Sequence, residues 1–450
     1  MKESISLDLL STQAENGFSL DELVVAIKEM FANKGFPALL EFILRCVDES
    51  VTIGFLSGKL EWRPQACCAS PKYELQGRYP RTFKTTLGKV ELQCRRLQCR
   101  SCGKKTVPLR DFMNWERYSR KTGELEKTVV EVVSEQSYRR SSRHLEDVGL
   151  VPVPKSTAHR WVMESSCDEI AKSSEDISQL FADGTGFKRR PDKAAGRNNR
   201  GEVRVALGIT KGGRIQPFGA WSGASWEAIS KEIKARLYDE DSGEYKAADC
   251  MIIDGESGLA EAMAGLANDQ QRCHWHVVRD LHYTLWQEDA GKMERRIAAK
   301  NLSGILQLEL PEGDFEKVRD EDKAALRDKL RESESQLREF SRELLMKGYD
   351  KAANHISKAS ARLFTYARFW LKTGVVLPRV TSWIERIMRE IGRRIKKIGF
   401  GWSEEGAAKM TRILLRRLNA EEWKAYWEEK LQLKGRSQVT FLGVKSTSTS

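Results

Sequence analysis

No apolar run in the 450-residue chain approaches the roughly 18 residues that a membrane-spanning helix needs, so an integral helical membrane protein is excluded. The opening MKESISLDLLSTQ lacks an apolar h-region, and no secretory signal is expected. No internal repeat is visible, which sets aside repeat arrays. Histidine is scarce: there are six, and His274, His276 and His282 crowd into QRCHWHVVRDLH at 271–282. Cysteine is present but odd in number, at nine. In a long chain without a signal this speaks for a reducing compartment and against a disulfide framework. Clustered cysteines there are more often metal ligands.

At 51.3 kDa, with 40% hydrophobic residues, the chain has room for two to four domains with real cores. The net charge of +12 and pI of about 9.2 favour a polyanionic partner, nucleic acid or an anionic membrane surface. A basic surface without a specific partner is the plainer alternative. A cytoplasmic, nucleoid-associated protein with no membrane role is the expectation.

The periodicity changes several times along the chain. Residues 1–60 form a helical region. SLDELVVAIKEMF opens it with Ser19 as N-cap, and FPALLEFILRCVDESV follows as a second helix. Residues 61–112 switch to short runs rich in Thr, Val and Arg, which read as strands. Residues 113–172 hold three short helical segments. SQLFADGTGFKRR, GEVRVALGIT and GRIQPFGAWSG then read as strands, ASWEAISKEIKARLY as a helix, ADCMIIDG as a buried strand and SGLAEAMAGLA as a helix. Three strands able to form an antiparallel meander, then a helix and a further strand, is the order of a ribonuclease-H-like core, placed at 173–287. Residues 288–378 are highly charged and helical without a strand. Helices close the fold over 379–432, and 433–450 reads as a loose tail.

Cys99-x-x-Cys102 in QCRSCGKK is a zinc knuckle by spacing, since two thiolates around a turn can share a tetrahedral ion. The upstream half is irregular. ACCASP puts Cys67 and Cys68 side by side, and Cys94 is a possible extra ligand. One structural zinc is one reading, and a degenerate ribbon held by its strands is the other. Downstream, SYRRSSRHLEDVGLVPVPKSTAHRWV fits two helices around a turn, with Ser156 capping the second. Arg139, Arg140, Arg143, His159 and Arg160 are the candidate DNA contacts of a helix-turn-helix.

Asp183 in LFADGTGFK and Asp254 in CMIIDGESG each close a strand. A lone Asp after a strand is usually a turn or cap residue. In a ribonuclease-H-like sheet, however, these strands are neighbours. Two facing carboxylates repel, and divalent magnesium resolves the repulsion because it takes oxygen ligands. A third carboxylate from a helix would complete a two-ion site, and Glu385 in TSWIERIMREIGRR is the candidate, with Glu390 its near competitor.

These stretches together resemble the mutator-type DDE transposases of prokaryotic insertion sequences. DGT at 183–185, SGASWEAISKEI at 222–233, IIDGESGLAEAM at 252–263, QRCHWHVVRD at 271–280 and SWIERIMREIGRRIKKIGFGWSEEGAAKM at 382–410 carry the resemblance. It implies a ribonuclease-H-like catalytic core interrupted by the all-helical segment, with Asp183, Asp254 and Glu385 as catalytic carboxylates binding two Mg2+ or Mn2+ ions. It implies binding of the element's terminal inverted repeats and of target DNA, and a homo-oligomer. The expected chemistry is DNA cleavage by an activated water, then attack of the freed 3′-hydroxyl on target DNA. Arg386, Arg389, Arg393, Arg394, Lys396 and Lys397 are placed to hold the backbone, and Trp383 is either core or a stacking residue. A nuclease without strand transfer and a DNA-binding regulator are the alternatives. Cys273 and His276 match the family's Cys-x-x-His pair and are expected to organise the site floor or touch DNA, not to ligate metal. His274 should point away from them, and Trp275 is expected in the core or as a DNA wedge.

Overall fold

The computed structural model describes residues 20–433 except 63–65, 116–117, 149–150, 173–174, 191–198, 240–242, 257 and 399–400. The side chains of 22, 23, 26, 32, 33 and 239 are also outside it. The Ser19 cap and nearly all of the 433–450 tail fall outside the described residues. The chain is mixed α/β and divides into two compact units, 1–165 with 425–450, and 166–424.

The first unit opens with α1 (Leu20–Met30), a π-helical turn at Phe31–Gly35 and α2 (Phe36–Leu56). β1 (Tyr73–Thr85), β2 (Gly88–Cys99) and β3 (Lys105–Thr106) form an antiparallel sheet. Leu44 of α2 packs with Phe83, Val90, Leu92 and Cys94 in its core. A short α3 (Pro108–Phe112) precedes three helices, α4 (Gly123–Glu135), α5 (Tyr138–Asp147) and α6 (Lys155–Glu164). Thr122 and Ser137 cap α4 and α5 through side-chain oxygens. The expected Ser156 cap is not formed. α6 begins at Lys155, with Pro154 as N-cap, two residues before the expected cap. Proline's fixed φ suits that extended position, and its carbonyl accepts from Ala158 N at 2.9 Å.

The second unit is built on five strands in the order β10-β9-β4-β5-β6. β4 (Ile177–Lys188), β5 (Arg200–Thr210) and β6 (Ile215–Ser222) form an antiparallel meander. α7 (Trp226–Leu237) and a minimal hairpin, β7 (Tyr238–Asp239) with β8 (Glu244–Tyr245), lead to β9 (Ala248–Ile253). β9 runs parallel to β4. The expected helix after Asp254 shrinks to α8 (Leu259–Ala262), bracketed by Gly258 and Gly265 at φ +80° and +85°. β10 (Ala267–Arg272), parallel to β9, occupies the stretch that follows. Its sequence ANDQQR is polar and shows no strand alternation. As an edge strand it is held by its backbone ladder, which residue patterning does not register.

Strand alternation sorts the sheet's two faces. Leu180 and Ala182 of β4, with Met251 and Ile253 of β9, pack on Trp226, Ile229 and Ile233 of α7. Asp183 and Asp254 therefore point to the other face. That face meets α14 (Ser382–Gly392), which packs on β4, and α15 (Glu404–Arg416), which packs on β5 and β6. In chain order, between β10 and α14 come α9 (His274–Gln287), α10 (Lys292–Ile305), α11 (Asp320–Met346), α12 (Asp350–Leu363) and α13 (Thr365–Thr373). They share a core that takes in Val277, Leu281 and Leu285 of α9 and Cys250 of β9. α16 (Ala420–Lys430) ends the described helices.

Candidate functional site

Asp183 is not at the end of its strand, as its sequence context suggests. β4 stays paired with β5 as far as Lys188, opposite Arg200, and Asp183 lies mid-strand opposite Val205. The β4–β9 ladder stops at Phe181 opposite Ile252. Two residues further along each chain come Asp183 and Asp254, so the parallel register sets them side by side. Gly184 N donates to Asp183 Oδ1 at 2.7 Å, and Glu256 N to Asp254 Oδ1 at 2.9 Å. Burial, then the Asp254 charge, pushes the Asp183 carboxyl up to about 6. Glu385 adds to that push, while the Gly184 N–H and His276 oppose it. The three half-buried carboxylates thus converge electrostatically on one face of the sheet. They are spaced more openly than the thiol cluster below, which is the one group among the described residues with three or more such ligand atoms all within 4.8 Å.

Glu385, one turn into α14, is fixed by Thr381. The Thr381 hydroxyl donates to Glu385 Oε1 at 3.0 Å and lies 3.2 Å from His276 Nδ1 and 3.4 Å from Cys273 Sγ. Thr381 N also donates to Cys273 Sγ at 3.3 Å. Burial pulls the His276 pKa down, but the Cys273 hydrogen bond and charge outweigh it and leave it above the usual range. Burial pushes the Cys273 thiol up, and His276 and Thr381 more than reverse this. The Thr381 hydroxyl has a single proton, so donating it to Glu385 leaves its oxygen to accept from His276 Nδ1. Cys273 itself is anchored by its N–H to Ile253 O at 2.8 Å, next to Asp254. Sequence reasoning marked Cys273 and His276 but missed Thr381, the group that joins them to Glu385. Its signal was a position one helical turn before Glu385, which is weak without the partner elements.

A second missed pair lies under Asp254. Gly255 has φ +93°, and a Cβ there would fall about 2 Å from the Arg272 guanidinium. Arg272 is buried and donates to Asp280 Oδ2 at 3.2 Å. Trp226 Nε1 donates to Glu256 Oε1 at 2.8 Å, and the Arg204 guanidinium covers the Trp226 ring at 4.8 Å.

The remaining candidates separate clearly. His274 points away, with Nε2 2.7 Å from Leu363 O, and burial pushes its pKa down to about 4. Trp275 is not core: it is half exposed on α9. Trp383 is likewise exposed rather than core. Glu390 is exposed and paired with Arg393 at 3.0 Å, and it does not join the cluster. Arg386, Arg389, Arg393, Lys396 and Lys397 are exposed. Arg394 is not a DNA contact, because it is 1% exposed and stacks on Trp402 at 4.8 Å. It lies in the wider π-helical turn at Arg393–Lys397, which shifts the helical phase of its side chain relative to its exposed neighbours. In the first unit Arg139, Arg140, Arg143 and Arg160 are exposed, and His159 is half-buried against Tyr138 with ring centroids 5.1 Å apart.

The irregular cysteine pair closes into a cluster. The Cys67, Cys68, Cys99 and Cys102 sulfurs all lie within 4.8 Å of one another, although Cys67 and Cys68 are adjacent in sequence. Arg100 N donates to Lys72 O at 2.7 Å and Ser101 Oγ to Ser70 O at 2.7 Å, tying the knuckle turn to the upstream loop. Burial raises the Cys99 thiol, but backbone hydrogen bonds from Cys102, Lys72 and Ser101 and the Cys67 thiol hold it down to about 6. Burial also drives Cys68, up to about 12 without an ion. Cys94 is not a ligand, because its side chain is buried in the sheet core. Four soft donors at this spacing suit a tetrahedral zinc. Purified chain should carry about one zinc per molecule by elemental analysis. Cys99→Ser should lose it, and Cys94→Ser should keep it.

No helix of the described residues is long and apolar enough to cross a membrane. No curated protein matches the chain. The profile of the family described as "Transposase, Mutator family" matches residues 19–426, across both compact units, and the chain belongs to that family.

Proposed function

We propose that this transposase is a DDE enzyme that cuts DNA at Asp183, Asp254 and Glu385 and joins the freed 3′ ends to target DNA. In this reading the five-stranded sheet is a ribonuclease-H-like core, and the helices of 288–378 are an insertion between its second and third carboxylates. The observation that carries it is the convergence of three carboxylates from a central strand, a neighbouring strand end and a helix, with Asp183 held up to about 6.

The donors fit hard divalent cations: they are carboxylate oxygens, and their mutual repulsion is what an ion would relieve. Magnesium or manganese, two ions in this reading, would supply a water activated at neutral pH and neutralise charge on the leaving oxygen. Asp183 and Asp254 would hold them from the sheet and Glu385 from α14. Thr381 and His276 orient the Glu385 carboxylate, and Cys273 holds both against the end of β9. Arg386, Arg389, Arg393, Lys396 and Lys397 offer exposed positive charge for the phosphate backbone. Joining exchanges one phosphodiester for another, so it needs no outside energy source. The α5–α6 pair would act as a helix-turn-helix on the element's terminal repeats through Arg139, Arg140, Arg143, His159 and Arg160. The thiol cluster would act as its zinc-stabilised neighbour. Two ends handled together call for a homo-oligomer.

Asp183→Ala, Asp254→Ala and Glu385→Ala should each abolish cleavage of labelled element ends while end binding persists. Retained cleavage in all three would refute the assignment. Products cut but never joined would point instead to a nuclease.

Thr381→Val should lower cleavage about 10- to 100-fold, the usual cost of losing a group that orients a site ligand, and Thr381→Ser should restore most of it.

Asp183 also sets a pH signature. Its folded pKa is raised, so its contribution to stability is complete below the unfolded value near 4 and is lost as pH rises through about 6. Without divalent ions, Asp183→Asn should therefore melt higher than wild type at pH 8, by up to about 3 kcal/mol of stability at about 1.4 kcal/mol per pKa unit. The gap should close toward pH 4 in calorimetry.

A further inference from the structure

Trp275, Arg279, Tyr283 and Trp286 recur at i, i+4, i+8 and i+11 along α9, so they share one face over about 16 Å. The three rings are 52%, 62% and 56% exposed, and the Arg279 side chain is 49% exposed. The opposite side of α9 already supplies its core contacts through Val277, Leu281 and Leu285. The rings on this face therefore contribute little to folding. Isolated exposed rings are ordinary, but a continuous line of them marks a contact surface.

Two observations select the occupant. The face carries a cation and no carboxylate: the Arg279 guanidinium lies 5.0 Å over the Trp275 ring, and its partner Asp280 sits on the flank, shared with Arg272. The line also begins at the carboxylate site. The Trp275 ring meets the His276 ring edge-on with centroids 4.8 Å apart, and His276 Nδ1 is 3.9 Å from Glu385 Oε1. A protein seated on Trp275 would lie beside the carboxylates that must admit DNA, whereas a strand running on from those carboxylates would not block them. Flat rings interleaved with a guanidinium stack on bases whatever their sequence, provided the bases are unpaired.

We propose that this face of α9 binds an unpaired DNA strand leaving the carboxylate site, with bases stacked on Trp275, Tyr283 and Trp286. The proposal rests on Asp183, Asp254 and Glu385 being where DNA is cut. The test uses the full-length chain, a labelled oligothymidylate of about 16 nucleotides and a duplex of equal length, compared by fluorescence anisotropy. Trp275→Ala and Trp286→Ala should each weaken oligothymidylate binding about tenfold or more, with duplex binding changed less than about twofold. Trp275→Phe should keep most of the affinity, because a ring remains. Equal losses on both probes, or no loss on either, would overturn the proposal. So would a fall in native mass by light scattering in the Trp286 variant, which would show that the face joins two copies. Asp183→Ala should bind oligothymidylate like wild type. If that variant still cleaves while the tryptophan variants lose the single strand, the catalytic reading fails alone. If it is inactive and the tryptophan variants bind normally, only the stacking face falls.

Discussion

The mutual repulsion of Asp183 and Asp254 is the constraint around which the second unit is arranged. The parallel register of β9 on β4 ends at Phe181 and Ile252, and this termination leaves the two carboxylates adjacent at the edge of the shared ladder. A protein optimised only for stability would not keep them there, because burial and like charge both disfavour ionised Asp183. The surrounding contacts hold the arrangement despite that cost. The Gly184 and Glu256 amides each accept the role of donor to a carboxylate. The Arg272 guanidinium fills the space that Gly255 leaves open.

Glu385 is held by different means. Its position depends on Thr381, which bonds it on one side and Cys273 and His276 on the other. Cys273 is in turn fixed to β9 through Ile253. A carboxylate from a distant part of the chain is thus referenced to the same strand end as Asp254. The Cys-x-x-His pair belongs to this linkage, which accounts for its lying beside the carboxylates without having the donor count of a metal site.

Much of the candidate site was legible in the residues. Asp183, Asp254 and Glu385 stood out because each sat in a distinctive segment, and the order of strands and helices around them was readable from alternation and helical spacing. Other parts were not. β10 has a polar sequence and is a strand because β9 offers it a backbone edge and Gln271 is hydrogen-bonded to Leu363 of α12 and Tyr366 of α13. Arg394 looked like its exposed neighbours, but it sits in a π-helical turn, buried and stacked on Trp402. Cys94 was a possible extra ligand, but strand alternation carries it into the core, and the adjacent Cys67 and Cys68 both join the cluster.

The sequence by itself determined most of the element types, the two kinds of chemistry-bearing cluster and the resemblance that the family match upholds. Those depend on residue identity and short-range spacing, which a linear chain carries. The tertiary structure decided which groups meet: Asp183 with Asp254 through strand register, Thr381 with His276 and Glu385 through helix packing, and four thiols through a loop folded back on a hairpin. These contacts join residues up to more than a hundred positions apart, and only the folded backbone sets distances over such separations.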